Sequence, residues 1–193
     1  MKRLALFASG SGSNAEKIAQ YFAQRTDVEI TLIVTNNPKA GVIERTRCGF
    51  DRHLHVPVLL VDRTAFYNTE RVTQLLQNQN VDLIVLAGFM WLIPGSLVRN
   101  FPNKIINIHP ALLPKFGGKG MYGHFVHEAV VAAKETESGI TIHYVNEHYD
   151  EGQIIFQAQC AVAPTDTPDD VAQHVQLLEH EHYPRVIDEI ISR

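Results

Sequence analysis

The sequence predicts a doubly wound α/β fold, in which helices cover both faces of a mostly parallel sheet. Short apolar runs of strand length alternate with longer segments of helical period over the first half of the chain. The runs LIVLA at 83–87 and KIINI at 104–108 are apolar on both faces, as central strands are when helices cover both sides of a sheet. This alternation predicts βαβ units, whose strands lie parallel.

Five strands and three helices are predicted before residue 110. The strands are Arg3–Ala8, Glu29–Val34, Pro57–Val61, Asp82–Ala87 and Lys104–Ile108. Apolar residues that recur on one face predict helices at Asn14–Gln24 and Ala65–Gln79. Pro94 fits the first turn of a short helix that ends before Asn103.

The pattern changes after His109. Two prolines and four glycines predict a loop over Pro110–Gly123. The elements beyond it are a helix at Phe125–Glu135, strands at Gly139–Val145 and Gln153–Ala161, and a helix at 168–191 capped by Thr167. The last two strands can pair antiparallel, and 1–193 is expected to form one domain. Ligands of such sheets lie beyond the carboxyl ends of the strands, so the loops after strands one, four and five form the candidate site.

Composition and charge argue against several classes of protein. The net charge of −4 gives no electrostatic reason to expect binding to nucleic acid or to an anionic membrane. The apolar run Leu4–Ala8 is too short for a signal peptide, and no stretch approaches the roughly 18 apolar residues of a spanning helix. Cys48 and Cys160 form no CxxC motif, which is typical of a reducing compartment. We therefore expect a cytoplasmic protein.

The loop Ser9–Asn14 follows the first strand and opens a helix. Backbone N–H groups and the helix dipole point at whatever lies there, and the glycines allow close approach, so a phosphate is the expected ligand. A dinucleotide site would need an acidic residue about 20 residues on, where the chain has Thr35, Asn36 and Asn37. The alternative is a tight turn with a serine-capped helix.

Asn107 and His109 end the fifth strand and lie on the same side of an extended chain. Pro110 favours extended geometry at His109, and histidine titrates near neutral pH, so an amide donor and an acid–base group converge on one space. Asp150, in the connection between two strands, would raise the pKa of His109 if it lay close by. The alternatives are a histidine satisfied at a strand end and a solvated loop carboxylate.

The other histidines are interpreted as structural or solvated. His124 and His127 have no cysteine or carboxylate at a zinc-like spacing. His143 is ambiguous by itself, and three more histidines lie on the last helix. We therefore expect no metal site.

Taken together, these residues resemble the phosphoribosylglycinamide formyltransferase family of purine biosynthesis. LAGFM, NIHPALLPK and the D-x-G-x-I-I segment are jointly specific, whereas the glycine loop alone is a weak signal. The motifs occur in family order over nearly the whole chain. The matching segments are Gly10–Asn14, Val85–Met90, Asn107–Pro114, His143–Val145, Asp150–Ile155, Glu179–His180 and Tyr183–Pro184.

The resemblance implies a Rossmann-like formyltransferase that moves a formyl group from 10-formyltetrahydrofolate, as co-substrate, to the amine of glycinamide ribonucleotide without a metal. It implies small-molecule partners and either a monomer or a homodimer. The implied catalytic residues are His109 as general acid, Asn107 as oxyanion donor and Asp150 in support of His109. The implied binding residues are Gly12, Ser13 and Asn14 for the phosphate, Glu179 for the ribose, and Arg63, Met90, Trp91, Leu92, Ile93 and Asn107 for the folate.

The sequence departs from this family at Trp91, where many members carry arginine. It also departs in the stretch 116–124, which is richer in glycine and slightly longer than expected of the family. Methionyl-tRNA formyltransferases share the formyl chemistry but add a C-terminal domain for RNA, and formyltetrahydrofolate hydrolases add an N-terminal regulatory domain. We expect neither additional domain in this chain, and therefore expect the glycinamide ribonucleotide reaction. A third alternative is a nucleotide- or folate-binding module, which would need no Asn107, His109 and Asp150 set.

Overall fold

The computed structural model describes residues 1–50 and 55–193, which form seven strands and seven helices. The strands are β1 (Lys2–Phe7), β2 (Val28–Thr35), β3 (Val58–Leu60), β4 (Leu83–Leu86), β5 (Ile105–His109), β6 (Glu137–Tyr144) and β7 (Ile154–Ala161). The helices are α1 (Ser13–Phe22), α2 (Gly41–Arg47), α3 (Arg63–Tyr67), α4 (Arg71–Asn78), α5 (Gly95–Asn100), α6 (His124–Ala132) and α7 (Pro168–Ile191). No helix in these two ranges is both long enough and apolar enough to cross a bilayer.

The strands form one sheet in the order β3-β2-β1-β4-β5-β6-β7. β1 to β5 pair parallel, whereas β6 pairs antiparallel with both β5 and β7. The predicted, mostly parallel sheet is confirmed, and its two C-terminal strands are antiparallel. Strand order reverses at β1, which lies between β2 and β4, and this reversal opens a crevice at the carboxyl ends of the strands.

Alternate residues of the central strands supply two apolar cores, one on each face of the sheet. Leu4 and Leu6 of β1 are fully buried in the core that α1 and α7 cover. Ala5 and Phe7 are equally buried on the opposite face, beneath α3, α4 and α5. Helices therefore cover both faces, as the doubly apolar strands predict.

Two helical predictions need correction, and one helix was not predicted. The segment Ala65–Gln79, predicted as one helix, forms α3 and α4 with a break at 68–70. α3 also begins earlier than predicted, because the Asp62 carboxylate accepts a hydrogen bond from the Ala65 N–H at 2.7 Å. Pro94 precedes α5 as its N-cap instead of lying in the first turn. α2 was missed because its seven residues bury only Val42 and Thr46, too few to show a helical period.

α7 is tied to the centre of the sheet by Tyr183. This side chain is fully buried, and its hydroxyl donates a hydrogen bond to Leu86 O at 2.9 Å and lies 3.4 Å from Ile106 O. Those carbonyls belong to β4 and β5, close to the strand ends that carry the predicted site residues. The predicted Thr167 cap forms a capping box with Asp170 and fixes the start of the helix. These contacts therefore hold α7 in place beside the crevice.

Removing the Tyr183 hydroxyl should destabilise the protein. In Tyr183→Phe the buried Leu86 carbonyl loses this donor, so we expect the free energy of unfolding in urea titrations to fall by about 1–2 kcal/mol. Tyr21→Phe is the matched control, because the Tyr21 hydroxyl donates to Asp188 at an exposed site. The control should change stability by less than about 0.5 kcal/mol, and equal losses in both variants would contradict the role of Tyr183.

Candidate active site

A cavity of about 650 Å³ lies at the carboxyl ends of the parallel strands. Its walls include residues 10–14 after β1, 86–93 after β4, 107–110 at the end of β5 and the glycine-rich segment 118–124. The remaining wall comes from α7 and from the connection after β6. The loops after the first, fourth and fifth strands, which were predicted to form the site, therefore meet in one cavity.

The glycine loop turns sharply into α1. Gly12 has a φ of +80°, and a Cβ at this position would lie 2.6 Å from the Cβ of Val42, so the turn requires glycine. Ser13 and Asn14 are the first residues of α1 and line the cavity together with Gly12. The N-terminus of this helix presents backbone N–H groups and the positive end of its dipole, which suits an anion.

Glu179 of α7 contacts the glycine loop. The Asn14 side-chain amide donates a hydrogen bond to Glu179 Oε2 at 2.9 Å. Burial raises the pKa of Glu179 to about 7, and the hydrogen bond from Asn14 offsets only part of that rise. The residue predicted to meet the ribose is thus in direct contact with a residue predicted to meet the phosphate.

The side chains of Asn107, His109 and Asp150 meet at the end of β5. His109 Nδ1 lies 3.5 Å from Asp150 Oδ2, and Asn107 Nδ2 lies 3.5 Å from Asp150 Oδ1. The His109 and Asp150 side chains are only 4% and 10% exposed, so water screens their interaction little. The structure brings together all three residues that were predicted to be catalytic.

His109 is bound through its other ring nitrogen to the loop that follows it. Nε2 lies 2.7 Å from the Phe116 carbonyl oxygen, which can only accept, so this nitrogen carries a proton. Burial lowers the pKa of His109, and the Asp150 carboxylate and the Phe116 carbonyl offset only part of that shift. Asp150 therefore raises the pKa of His109, as expected, but burial has the larger effect and the net shift is downward.

His143 is a further member of this cluster, although the sequence alone left its role ambiguous. It pairs with Asn107 across β5 and β6, so both side chains lie on the same face of the sheet. His143 Nδ1 donates to Tyr144 O at 2.9 Å, which leaves Nε2 to accept a hydrogen bond from the Asn107 amide at 3.1 Å. This contact fixes the direction of the Asn107 side chain.

Asp150 is held in place by the backbone around it. Its carboxylate accepts a hydrogen bond from the Gly118 N–H at 2.9 Å, and its φ of 56° is unusual for a residue other than glycine. Gly152 permits the turn, because a Cβ there would lie 1.6 Å from Tyr144 O. Burial would raise the pKa of Asp150, but the two neighbouring histidines and the Gly118 N–H lower it below its usual value. The carboxylate is therefore ionised at neutral pH.

The residues predicted to bind folate fall into two groups. Arg63, in α3, does not line the cavity; its guanidinium carbon lies 5.2 Å from the centroid of the Trp91 ring, in a cation–π contact. The other predicted residues all line the cavity; they are Met90, Trp91, Leu92, Ile93 and Asn107. Arg63 thus contacts the cavity wall through Trp91.

The cavity also contains side chains that the sequence did not single out. His124 and His127, interpreted as structural or solvated, line it at the start of α6, and Gln176 lines it one turn before Glu179. Gln176 lies three residues before Glu179 and so on the same face of the helix, which could have predicted its place in the cavity. The positions of His124 and His127 could not be predicted in this way, because the glycines of the preceding loop allow many backbone paths. Within 1–50 and 55–193, no three His, Cys, Asp or Glu side chains are grouped to hold a metal ion.

Comparison with known proteins relates nearly the whole chain to one family. Residues 2–187 match the profile of the formyl transferase family. The chain is 40% identical over 190 residues to the chloroplastic phosphoribosylglycinamide formyltransferase of Arabidopsis thaliana, a match that covers 98% of this chain. It is 37% identical over 197 residues to the phosphoribosylglycinamide formyltransferase of Bacillus subtilis, a match that covers 100% of this chain.

The lengths of these relatives differ. The chain spans 96% of the Bacillus subtilis protein but less than two thirds of the plant proteins, 65% for Arabidopsis thaliana and 60% for Vigna unguiculata. Among solved structures, that of phosphoribosylglycinamide formyltransferase from Bacillus halodurans is similar with a TM-score of 0.86 at 35% identity. That similarity covers 100% of this chain and 96% of the other.

Glu179 should make stability depend on pH. Its pKa rises from an ordinary 4.5 to about 7 on folding, so the stability that it contributes is present below pH 4.5 and is lost as the pH rises through 7. Glu179→Gln stays uncharged and can still accept from Asn14. We expect this variant to be more stable than the parent by about 1–3 kcal/mol at pH 8, with no difference near pH 4.5.

Urea titrations at pH 4.5 and pH 8 measure this difference. Glu181→Gln is the control, because the Glu181 side chain is 68% exposed on the same helix and should change stability little at either pH. A Glu179→Gln effect of the same size at both pH values would contradict the burial of an uncharged carboxyl group at this position.

Proposed function

Since the chain belongs to the formyl transferase family, we propose that it transfers the formyl group of 10-formyltetrahydrofolate to the amine of glycinamide ribonucleotide in purine biosynthesis. The relatives that carry the name phosphoribosylglycinamide formyltransferase, at 40% and 37% identity, support this reaction. The observation that carries the proposal is the convergence of Asn107, His109 and Asp150 in the same cavity as the glycine loop.

The glycine loop and Glu179 would bind the ribonucleotide. Its phosphate would lie against Gly12, Ser13 and Asn14, where the N-terminus of α1 favours negative charge. The Glu179 carboxyl group, in contact with Asn14, is then within reach of the ribose. With a pKa of about 7, it can accept a hydrogen bond from a sugar hydroxyl or donate one to it. The glycinamide end would extend from there towards His109.

The wall after β4 would bind the folate. Met90 to Ile93 and Asn107 supply its surface, which is mainly apolar and aromatic. Trp91 would present its ring to the folate, at a position where many family members carry arginine. Arg63 would act through Trp91, because its guanidinium group packs on that ring. Tyr67 donates a hydrogen bond to Leu92 O at 3.0 Å and so steadies the same segment.

The protonation state of His109 suggests how the proton moves. As the amine attacks the formyl carbon, a C–N bond forms and negative charge develops on the formyl oxygen, which the Asn107 amide can stabilise. Neutral His109 can accept the proton that the amine nitrogen gives up. It then acts as general acid and returns that proton to N10 of the folate as the C–N10 bond breaks. Asp150 stabilises the imidazolium between these two steps.

The contacts of the imidazole must change for this transfer to occur. His109 Nε2 is occupied by the Phe116 carbonyl, and Nδ1 faces Asp150. We propose that the substrate amine replaces the Phe116 carbonyl as the partner of Nε2, and that the ring proton then lies on Nδ1, facing the Asp150 carboxylate, so that Nε2 is free to accept a proton. The Asn107 amide has similar freedom, because its contact with Asp150 is 3.5 Å, at the outer limit of a hydrogen bond.

A spectroscopic assay of folate product, with and without glycinamide ribonucleotide, tests the proposed reaction. We expect tetrahydrofolate to form only when the ribonucleotide is present. Turnover without it would indicate a hydrolase instead. Binding of either compound with no turnover under any condition would indicate a binding module, and both of these outcomes would contradict the proposal.

Replacing His109 should slow the chemical step much more than it weakens substrate binding. His109→Ala removes the proton carrier, so we expect kcat to fall by about 10²-fold or more in steady-state kinetics, with little change in KM for the ribonucleotide. His174→Ala is the control, since His174 is exposed on α7 outside the cavity. A near-normal kcat in His109→Ala would remove this residue from the mechanism.

Gly12→Ala should weaken recognition of the phosphate. The added Cβ meets Val42 at 2.6 Å in a left-handed backbone conformation, so the loop must shift away from its anion-binding geometry. We expect KM for the ribonucleotide to rise at least about tenfold, equivalent to roughly 1.4 kcal/mol. Gly10→Ala, in the same loop, meets nothing within 4 Å and should have the smaller effect. An unchanged KM in Gly12→Ala would locate the phosphate elsewhere.

A further inference from the structure

The carbonyl oxygens of the glycine loop all accept hydrogen bonds from donors outside the cavity. In the order Ser9, Gly10, Ser11 and Gly12, the donors are Asn37 Nδ2 at 3.1 Å, Val42 N at 3.3 Å, Arg45 Nε at 2.8 Å and Glu16 N at 2.9 Å. The four donor residues lie outside the cavity wall, to which residues 10–12 belong. The loop therefore turns its carbonyl groups away from the space where the phosphate is expected.

The Ser11 carbonyl fixes the direction of the Gly12 N–H. Both groups belong to one trans peptide unit, in which the C=O and N–H bonds point in opposite directions. An outward Ser11 carbonyl therefore turns the Gly12 N–H towards the cavity. Gly12 has no side chain to restrict rotation of this peptide, and the reverse orientation would present a partially negative oxygen to the phosphate.

Arg45 holds the Ser11 carbonyl through a side chain that has two partners. Its Nε donates to Ser11 O, and its Nη1 forms an ion pair with the Glu16 carboxylate, so one guanidinium group joins α2, α1 and the loop between β1 and α1. The planar guanidinium group presents its N–H donors in fixed directions, which suits two acceptors at once. α2 also approaches the loop closely, since a Cβ at Gly41 would lie 3.0 Å from Ser11 O. Arg45 is therefore placed to restrain the Ser11 peptide.

We propose that Arg45 is a positioning residue of the phosphate site, which holds the Ser11 carbonyl outward and so keeps the Gly12 N–H directed at the phosphate. This inference rests on the part of the proposed function that assigns the phosphate to the glycine loop. The carboxylate of Glu16 pairs with the charge of Arg45, so Arg45 acts through the geometry of the loop and not as a free cation. It contributes to binding of the ribonucleotide and not to transfer of the formyl group.

Arg45→Met tests this role, because methionine keeps an extended side chain without hydrogen-bond donors. The Arg45 side chain is 37% exposed, so its replacement should leave the fold intact. We expect KM for the ribonucleotide to rise at least about fivefold, as for the loss of one hydrogen bond from a charged donor, while kcat and KM for the folate change less than about twofold. Arg47→Met is the matched control and should resemble the parent, because the Arg47 side chain is 74% exposed on the same helix.

Glu16→Gln distinguishes positioning from attraction by charge. This variant removes the negative charge beside Arg45 but keeps an acceptor for Nη1, so we expect KM for the ribonucleotide to stay within about twofold of the parent. The ratio of the KM values of Arg45→Met and the parent should also be equal at about 0.05 M and 0.5 M sodium chloride, because salt screens distant charges much more than a direct hydrogen bond. An unchanged KM in Arg45→Met, a lower KM in Glu16→Gln, or a ratio that falls towards one at high salt would overturn the inference.

Titration with inorganic phosphate separates this inference from the proposed reaction. In amide NMR spectra of the parent, we expect the Gly12 resonance to move as phosphate is added, and Arg45→Met should raise the Kd for phosphate at least about fivefold. If the parent binds phosphate at the loop but does not formylate the ribonucleotide, the proposed reaction fails and the role of Arg45 stands. If the parent formylates the ribonucleotide and Arg45→Met binds phosphate as tightly as the parent does, the inference fails alone.

Discussion

The Asp150 carboxylate joins three separate segments of the chain. One oxygen accepts the Gly118 N–H and faces His109, and the other faces Asn107 and His143. One ionised group therefore contacts the end of β5, the antiparallel strand β6 and the glycine-rich segment 118–124. Because this group is nearly buried, its partners stabilise the charge in place of water, and the loss of any partner would leave that charge poorly compensated. The arrangement of the site depends on this contact.

Burial determines the protonation states around that carboxylate. It lowers the pKa of His109 and His127 and raises that of Glu179, whereas Asp150 keeps its charge through its hydrogen bonds and neighbouring histidines. Such a site suits a nucleophile that must be an uncharged amine and a proton that passes between nitrogen atoms. The fixed negative charge of Asp150 becomes most favourable when His109 is transiently protonated.

The fold and the core of the site could be predicted from local patterns, but the finer contacts could not. Apolar runs predicted the strands. Because ligands bind beyond the carboxyl ends of such strands, the strand ends also predicted that His109 lies near the glycine loop. The break between α3 and α4 falls at the polar residues 68–70, where the apolar spacing is interrupted, and it was missed because one helix was predicted across them. The cap that starts α3 is a local hydrogen bond that Asp62 accepts from the Ala65 N–H. The place of His127 in the cavity and the lowered pKa of His109 both depend on burial by distant segments. The spacing of apolar residues along the chain gives no information about such burial.

A crystal structure with glycinamide ribonucleotide bound is the most direct test of the claim that one cavity holds both ends of this substrate. We expect phosphate oxygens within hydrogen-bond distance of the backbone N–H groups of residues 12–14. We also expect the amine to lie about 3–3.5 Å from the His109 ring. A phosphate bound away from the glycine loop, or an amine directed away from Asn107, His109 and Asp150, would contradict it.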